Sequence, residues 1–106
     1  MAQTKQKQLI IYQKQVDLIE YTYNLLRKFP KSEKYALAAD IKSSMFNALK
    51  LILRANKVYN NSQVRVDLLN ELDAEVQIQK VMVRIAHGQR YISNKNYLEW
   101  SRRLDE

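Results

Sequence analysis

Cysteine is missing from this 106-residue chain, so disulfides and thiolate metal sites are excluded. Glycine and proline occur once each, at Gly88 and Pro30, and turn-rich β folds need far more of both. A glycine-rich phosphate loop cannot be built from one glycine. Histidine also occurs once, at His87, and no second His or Glu stands at helical spacing to share a metal with it. The Glu-x-x-His pair of di-iron bundles is missing, as is a nucleophile elbow. No apolar run approaches the length of a membrane span, and the polar N-terminus lacks the apolar core of a signal peptide. The expectation is a cytoplasmic, non-enzymatic protein with no cofactor, no catalytic residue and no metal. At 46% hydrophobic residues the chain is nonetheless rich enough to bury one core.

What remains is helix-forming sequence with a strong charge bias. The net charge is +7, and all of it arises in residues 1–60, because residues 61–106 hold as many acids as bases. Such an imbalance points to a polyanion or an acidic protein as partner, or to a face that simply keeps the chain in solution.

The hydrophobic period predicts helices at about residues 7–28, 33–59, 62–87 and 94–106, in a single domain. In the first, Leu9, Tyr12, Val16, Ile19, Tyr23 and Leu26 form a 3-4 seam, and Ile11, Leu18 and Leu25 form a second stripe. Two stripes imply several neighbours or burial in an oligomer. Pro30 stops this helix, and Ser32 is the expected N-cap of the next, with Glu33 favourable at its N-terminus. On the second helix Leu37, Ala38, Ile41, Met45, Ala48, Leu49, Ile52 and Ala55 share an apolar arc. Lys42, Lys50, Arg54 and Lys57 share a separate arc about 120° wide at 100° per residue. Asn60-Asn61-Ser62 separates it from the third helix, whose buried side is expected at Val64, Leu68, Leu69, Leu72, Val76, Met82, Val83 and Ala86. Lys80 and Arg84 stand one turn apart there, either as a second basic pair or as complements to the helix dipole. His87 is expected to meet the last carbonyls, Gly88 to cap the helix, and Ser93 to cap a short fourth helix carrying Tyr97, Leu98, Trp100 and Leu104. Short linkers favour an antiparallel up-down-up-down four-helix bundle, all-α.

No helix-turn-helix or zinc-finger spacing is present, and Tyr12 and Tyr23 lie in the expected core seam. Tyr35, Tyr59 and Tyr91 fall near helix ends, where exposure is expected. Nucleic-acid binding would therefore rest on backbone phosphates rather than base reading, through Lys42, Lys50, Arg54 and Lys57.

Three stretches carry a likeness to a known group. Phe29-Pro30-Lys31-Ser32-Glu33-Lys34-Tyr35-Ala36-Leu37-Ala38-Ala39-Asp40-Ile41-Lys42 resembles the opening of the second helix in the four-helix-bundle family of ribosomal-RNA intervening-sequence proteins and accessory variability determinant (Avd) proteins of diversity-generating retroelements. Leu53-Arg54-Ala55-Asn56-Lys57 and Val83-Arg84-Ile85-Ala86-His87-Gly88 resemble the Avd branch. Ser43-Ser44-Met45-Phe46-Asn47-Ala48-Leu49 lacks the Pro and Gly that the intervening-sequence branch carries near this helix. The resemblance implies a homopentamer of four-helix bundles that binds the retroelement reverse transcriptase and its template RNA through a basic surface, here Lys42, Lys50, Arg54 and Lys57 on the second helix with Lys80 and Arg84 on the third. It further implies support of mutagenic retrohoming, with no membrane partner. The alternative class is a helical scaffolding module whose basic face meets an acidic protein.

Overall fold

The computed structural model describes residues 2–58, 60 and 62–105. Its elements are α1 (Ala2–Leu26), a 3-10 turn (Lys31–Glu33), α2 (Leu37–Lys57), α3 (Ser62–Gly88) and α4 (Asn94–Asp105), with no strand among the described residues. The all-α four-helix arrangement is the one the hydrophobic period predicts. Tyr59, Asn61 and Glu106, on which expected helix ends rested, lie outside the described residues. No described helix is long and apolar enough to cross a membrane.

Contacts run in opposite order along each consecutive pair of helices. Gln15 of α1 meets Met45 of α2, while Tyr23 meets Lys42. Ser44 of α2 meets Glu75 and Gln79 of α3, while Ala55 meets Arg65. Lys80 of α3 meets Asp105 of α4, and His87 meets Tyr97. These pairings make successive helices antiparallel. α4 also packs back on α1, whereas among the described residues the backbones of the diagonal pairs stay apart and meet only through core side chains.

The core is built from Leu18, Ile19, Leu25, Leu26 and Phe29 against Ile41, Met45, Val83, Ala86, Ile92, Trp100 and Leu104. Burying such side chains stabilises the fold by about 1.5–3 kcal/mol each. At its middle lies a polar layer. Gln15 Nε2 donates to the Met45 carbonyl at 3.1 Å. Gln79, 1% exposed, donates to the Ser44 carbonyl at 3.0 Å and to Ser44 Oγ at 3.1 Å. Ser44 Oγ in turn donates to Glu75 at 2.6 Å. A slide of one helix would leave these buried groups unpaired, so the layer fixes the register of α1 and α3 on α2.

Several local expectations need correction. α1 ends at Leu26 rather than 28, because Lys28 N–H bonds Leu25 O and Phe29 N–H bonds Leu26 O, a tightened last turn that carries Phe29 into the core. α2 begins at Leu37, four residues late. Ser32 lies exposed in the 3-10 turn and caps nothing, and Ala36 holds the N-cap position without a side-chain bond. Glu33 does the work instead. One carboxylate oxygen accepts the Leu37 N–H at 3.3 Å, and the other accepts the Tyr91 hydroxyl at 3.2 Å, tying the α1–α2 turn to the α3–α4 turn. Gly88 is simply the last residue of α3. Arg90, at φ 64, takes the left-handed position, with Tyr91 N–H bonded to Ala86 O and Arg90 N–H to His87 O. His87 stacks on Tyr97 at 4.1 Å and pairs with Asn94 Oδ1 rather than meeting the last carbonyls. Ser93 caps α4 as expected, accepting the Asn96 N–H at 3.1 Å.

The first seam on α1 is not continuous. Leu9 is 66% exposed, and Ile10, Ile11 and Tyr12 beside it are also exposed, so the core starts only at Gln15. Val64, Leu69 and Leu98 also face outward, whereas Gln79 is buried. Tyr35 is exposed as expected, but Tyr91 is half-buried through Glu33.

Candidate nucleic-acid interface

α2 turns its apolar arc inward through Ala38, Ile41, Met45, Ala48, Ile52 and Ala55, all buried. Its opposite side therefore faces outward along the whole helix. Lys42, Lys50, Arg54 and Lys57 lie on that side, and all four are exposed. Among the described residues none of the four has a carboxylate within ion-pair distance. The structure thus brings together four of the six cations expected to bind nucleic acid, as an unneutralised stripe along one helix.

The other two are separate. Lys80 lies on α3 beside the groove between α1, α3 and α4, and pairs with Asp105 at 2.7 Å. The α4 backbone makes no close approach to α2 among the described residues, and this pair lies on a different face from the outward α2 stripe. Arg84 is exposed one turn further along α3.

Two apolar side chains are set among the α2 cations. Phe46 and Leu53 fall within the same arc and are 41% and 42% exposed. Phe46 makes an edge-on contact with Tyr23 of α1, centroids 6.4 Å apart, and Lys42 Nζ lies over the Tyr23 ring at 4.9 Å. Cation–π attraction thereby holds the Lys42 ammonium at the α1–α2 seam. Such a surface can neutralise phosphates and offer a ring to a base.

Residues 9–106 match the family described as bAvd-like. The chain belongs to the bAvd-like family. This makes it an Avd-type protein, the accessory class associated with diversity-generating retroelements. A comparison with curated proteins gives no match.

The match spans the basic stripe of this Avd-type chain and all but the first turns of α1. Four functional candidates escaped the sequence reading. Phe46 and Leu53 were recoverable, because the helical wheel puts both on the cationic arc, 40° and 20° from Lys42 at 100° per residue. Arg27 and Lys34 flank the Pro30 turn, and only the folded turn reveals that they join Lys42 around one cavity. Elsewhere, Glu99 is held by Arg102 and then Arg103, whose side-chain hydrogen bonds bring its carboxyl down to about 2. That cluster organises α4 and offers little free positive charge. Among the described residues no group of three or more His, Cys, Asp or Glu could hold a metal.

Proposed function

We propose that this Avd-type protein is a non-enzymatic accessory factor that joins a retroelement reverse transcriptase to its template RNA and so supports mutagenic retrohoming. RNA contact runs through the outward face of α2. The observation that carries the reading is the stripe Lys42, Lys50, Arg54 and Lys57, exposed and without carboxylate partners among the described residues, on a chain whose family is Avd-like. Lys80 and Arg84 are assigned a lesser, peripheral part, since Lys80 already holds Asp105.

Assembly into a homopentamer belongs to the same reading. Exposed apolar side chains support it: Leu9, Ile10, Ile11 and Tyr12 on α1, and Ile78, Val81 and Ile85 at helical spacing on α3. Five copies of 12.6 kDa make roughly 63 kDa, so solution mass separates pentamer from monomer directly.

The functional test is co-purification of reverse transcriptase and template RNA with the wild-type chain and with the Lys50→Glu/Arg54→Glu variant. The proposal expects the variant to keep its helicity and lose the RNA. Undiminished RNA retention by the double variant would remove the α2 face from the mechanism.

A further inference from the structure

Beside the α2 stripe, two adjoining cavities lie in the seam between α1 and α2. The first, about 240 Å³, is lined by Tyr23, Leu26, Arg27, Lys34, Ala38 and Lys42. Three of its side chains are cationic and none is acidic. Arg27, Lys34 and Lys42 form no ion pair among the described residues, and the Arg27 guanidinium leans only on Asn24 Oδ1 at 3.4 Å. The second, a groove of about 530 Å³, is lined by apolar Val16, Ile19, Phe46 and Leu49 together with polar Glu20, Asn24 and Arg27. Tyr23 and Arg27 belong to both cavities.

One hollow suits the anionic oxygens of a phosphate, and the other suits a flat ring with polar edges. A cationic hollow beside an aromatic-walled slot is the chemistry of a nucleotide. We propose that this seam binds an unpaired nucleotide of single-stranded RNA, its phosphate between Arg27, Lys34 and Lys42 and its base against Phe46. Glu20 and Asn24 stand where the polar edge of the base comes to rest, offering a carboxylate and an amide. A base held in a duplex cannot reach the groove, because its faces are covered by stacked neighbours. The stripe from Lys50 to Lys57 then continues as the track for the following phosphates. The inference rests on the RNA-binding reading above and adds a strand preference to it.

Phosphate chemistry alone is shared by free nucleotides and by RNA, so the experiment separates them. Isotope-labelled full chain is titrated with 5′-AMP, adenosine and inorganic phosphate, followed by amide shifts. Fluorescence anisotropy compares a single-stranded RNA with a duplex of equal phosphate number. The expected result is saturable AMP shifts at Tyr23, Arg27, Lys42 and Phe46, weaker binding by either half alone, and tighter binding of the single strand than of AMP or duplex. Phe46→Ala, at an exposed position, should weaken single-strand and AMP binding roughly ten-fold and leave duplex binding unchanged. Arg27→Gln/Lys34→Gln should weaken AMP and phosphate and spare adenosine. RNA binding that ignores strandedness and Phe46→Ala overturns the nucleotide seam while leaving the α2 face standing. AMP bound as tightly as the single strand assigns the seam to a free nucleotide and overturns the strand claim. Loss of all RNA binding by the wild-type chain defeats the functional reading itself.

Discussion

If the α2 stripe meets RNA phosphates, its salt dependence is set by the number of cations engaged. Lys42, Lys50, Arg54 and Lys57 are the four exposed cations on that face without carboxylate partners among the described residues. Each neutralised phosphate of a single strand contributes about −0.7 to the slope of log affinity against log salt, so four give about −2.8. A four-fold rise in salt should then weaken binding about 50-fold. Lys50→Gln/Arg54→Gln leaves two contacts, a slope of about −1.4 and a loss of about seven-fold over the same range. Both side chains are exposed and unpaired among the described residues, so the fold should be untouched, and circular dichroism checks that. The assay is anisotropy of a labelled single-stranded RNA over a salt series. An unchanged slope in the double variant refutes the phosphate contacts assigned to α2. An equal change produced by Arg84→Gln would mean that the strand lies on α3.

Other outcomes follow from the packing. Trp100 is fully buried and its indole N–H has no partner among the described residues, so Trp100→Ala should cost about 3–5 kcal/mol in denaturant unfolding. Trp100→Phe should cost much less, because it also removes that orphan donor. Arg90 occupies a left-handed position at φ 64, so Arg90→Gly should raise stability by about 0.5–1 kcal/mol, read as a shift in unfolding midpoint. Arg102 hydrogen bonding, reinforced by Arg103, lowers the Glu99 carboxyl from 4.5 to about 2. Its folded value lies below its unfolded value, so its contribution to stability is complete above about 4.5 and is lost as pH falls toward 2. A carboxyl titration by NMR should show that depressed midpoint in wild type and a return toward 4.5 in the Arg102→Gln/Arg103→Gln variant.

The architecture was legible because helical periodicity is a property of the whole segment. On α2, Ala38, Ile41, Met45, Ala48, Ile52 and Ala55 repeat with the helix, and every one is buried. The cationic arc followed from the same wheel. Legibility failed where one residue's role depends on a distant partner. Gln79 is polar and so was left off the core, yet Ser44 on α2 accepts both hydrogen bonds of its Nε2 and so offsets half the cost of burying the amide, whose Oε1 has no partner among the described residues. Glu33 displaced Ser32 because its carboxylate reaches both Leu37 N–H and Tyr91, which are far apart in sequence. Leu9 and Tyr12 continue the seam of α1 beyond the point where the core begins, and periodicity cannot report where neighbouring helices stop. Phe46 was passed over because the outward arc was read from its charges alone, although the helical wheel sets the ring among them. The convergence of Arg27, Lys34 and Lys42 needed the folded Pro30 turn.

The most direct test is to map where template RNA touches the full chain, by amide shift changes or by protection from hydrogen exchange on binding. The account predicts changes concentrated on the outward face of α2 from Lys42 to Lys57 and on the adjoining Tyr23–Arg27 stretch of α1. Changes confined to α3 and α4, with α2 unmoved, would contradict it.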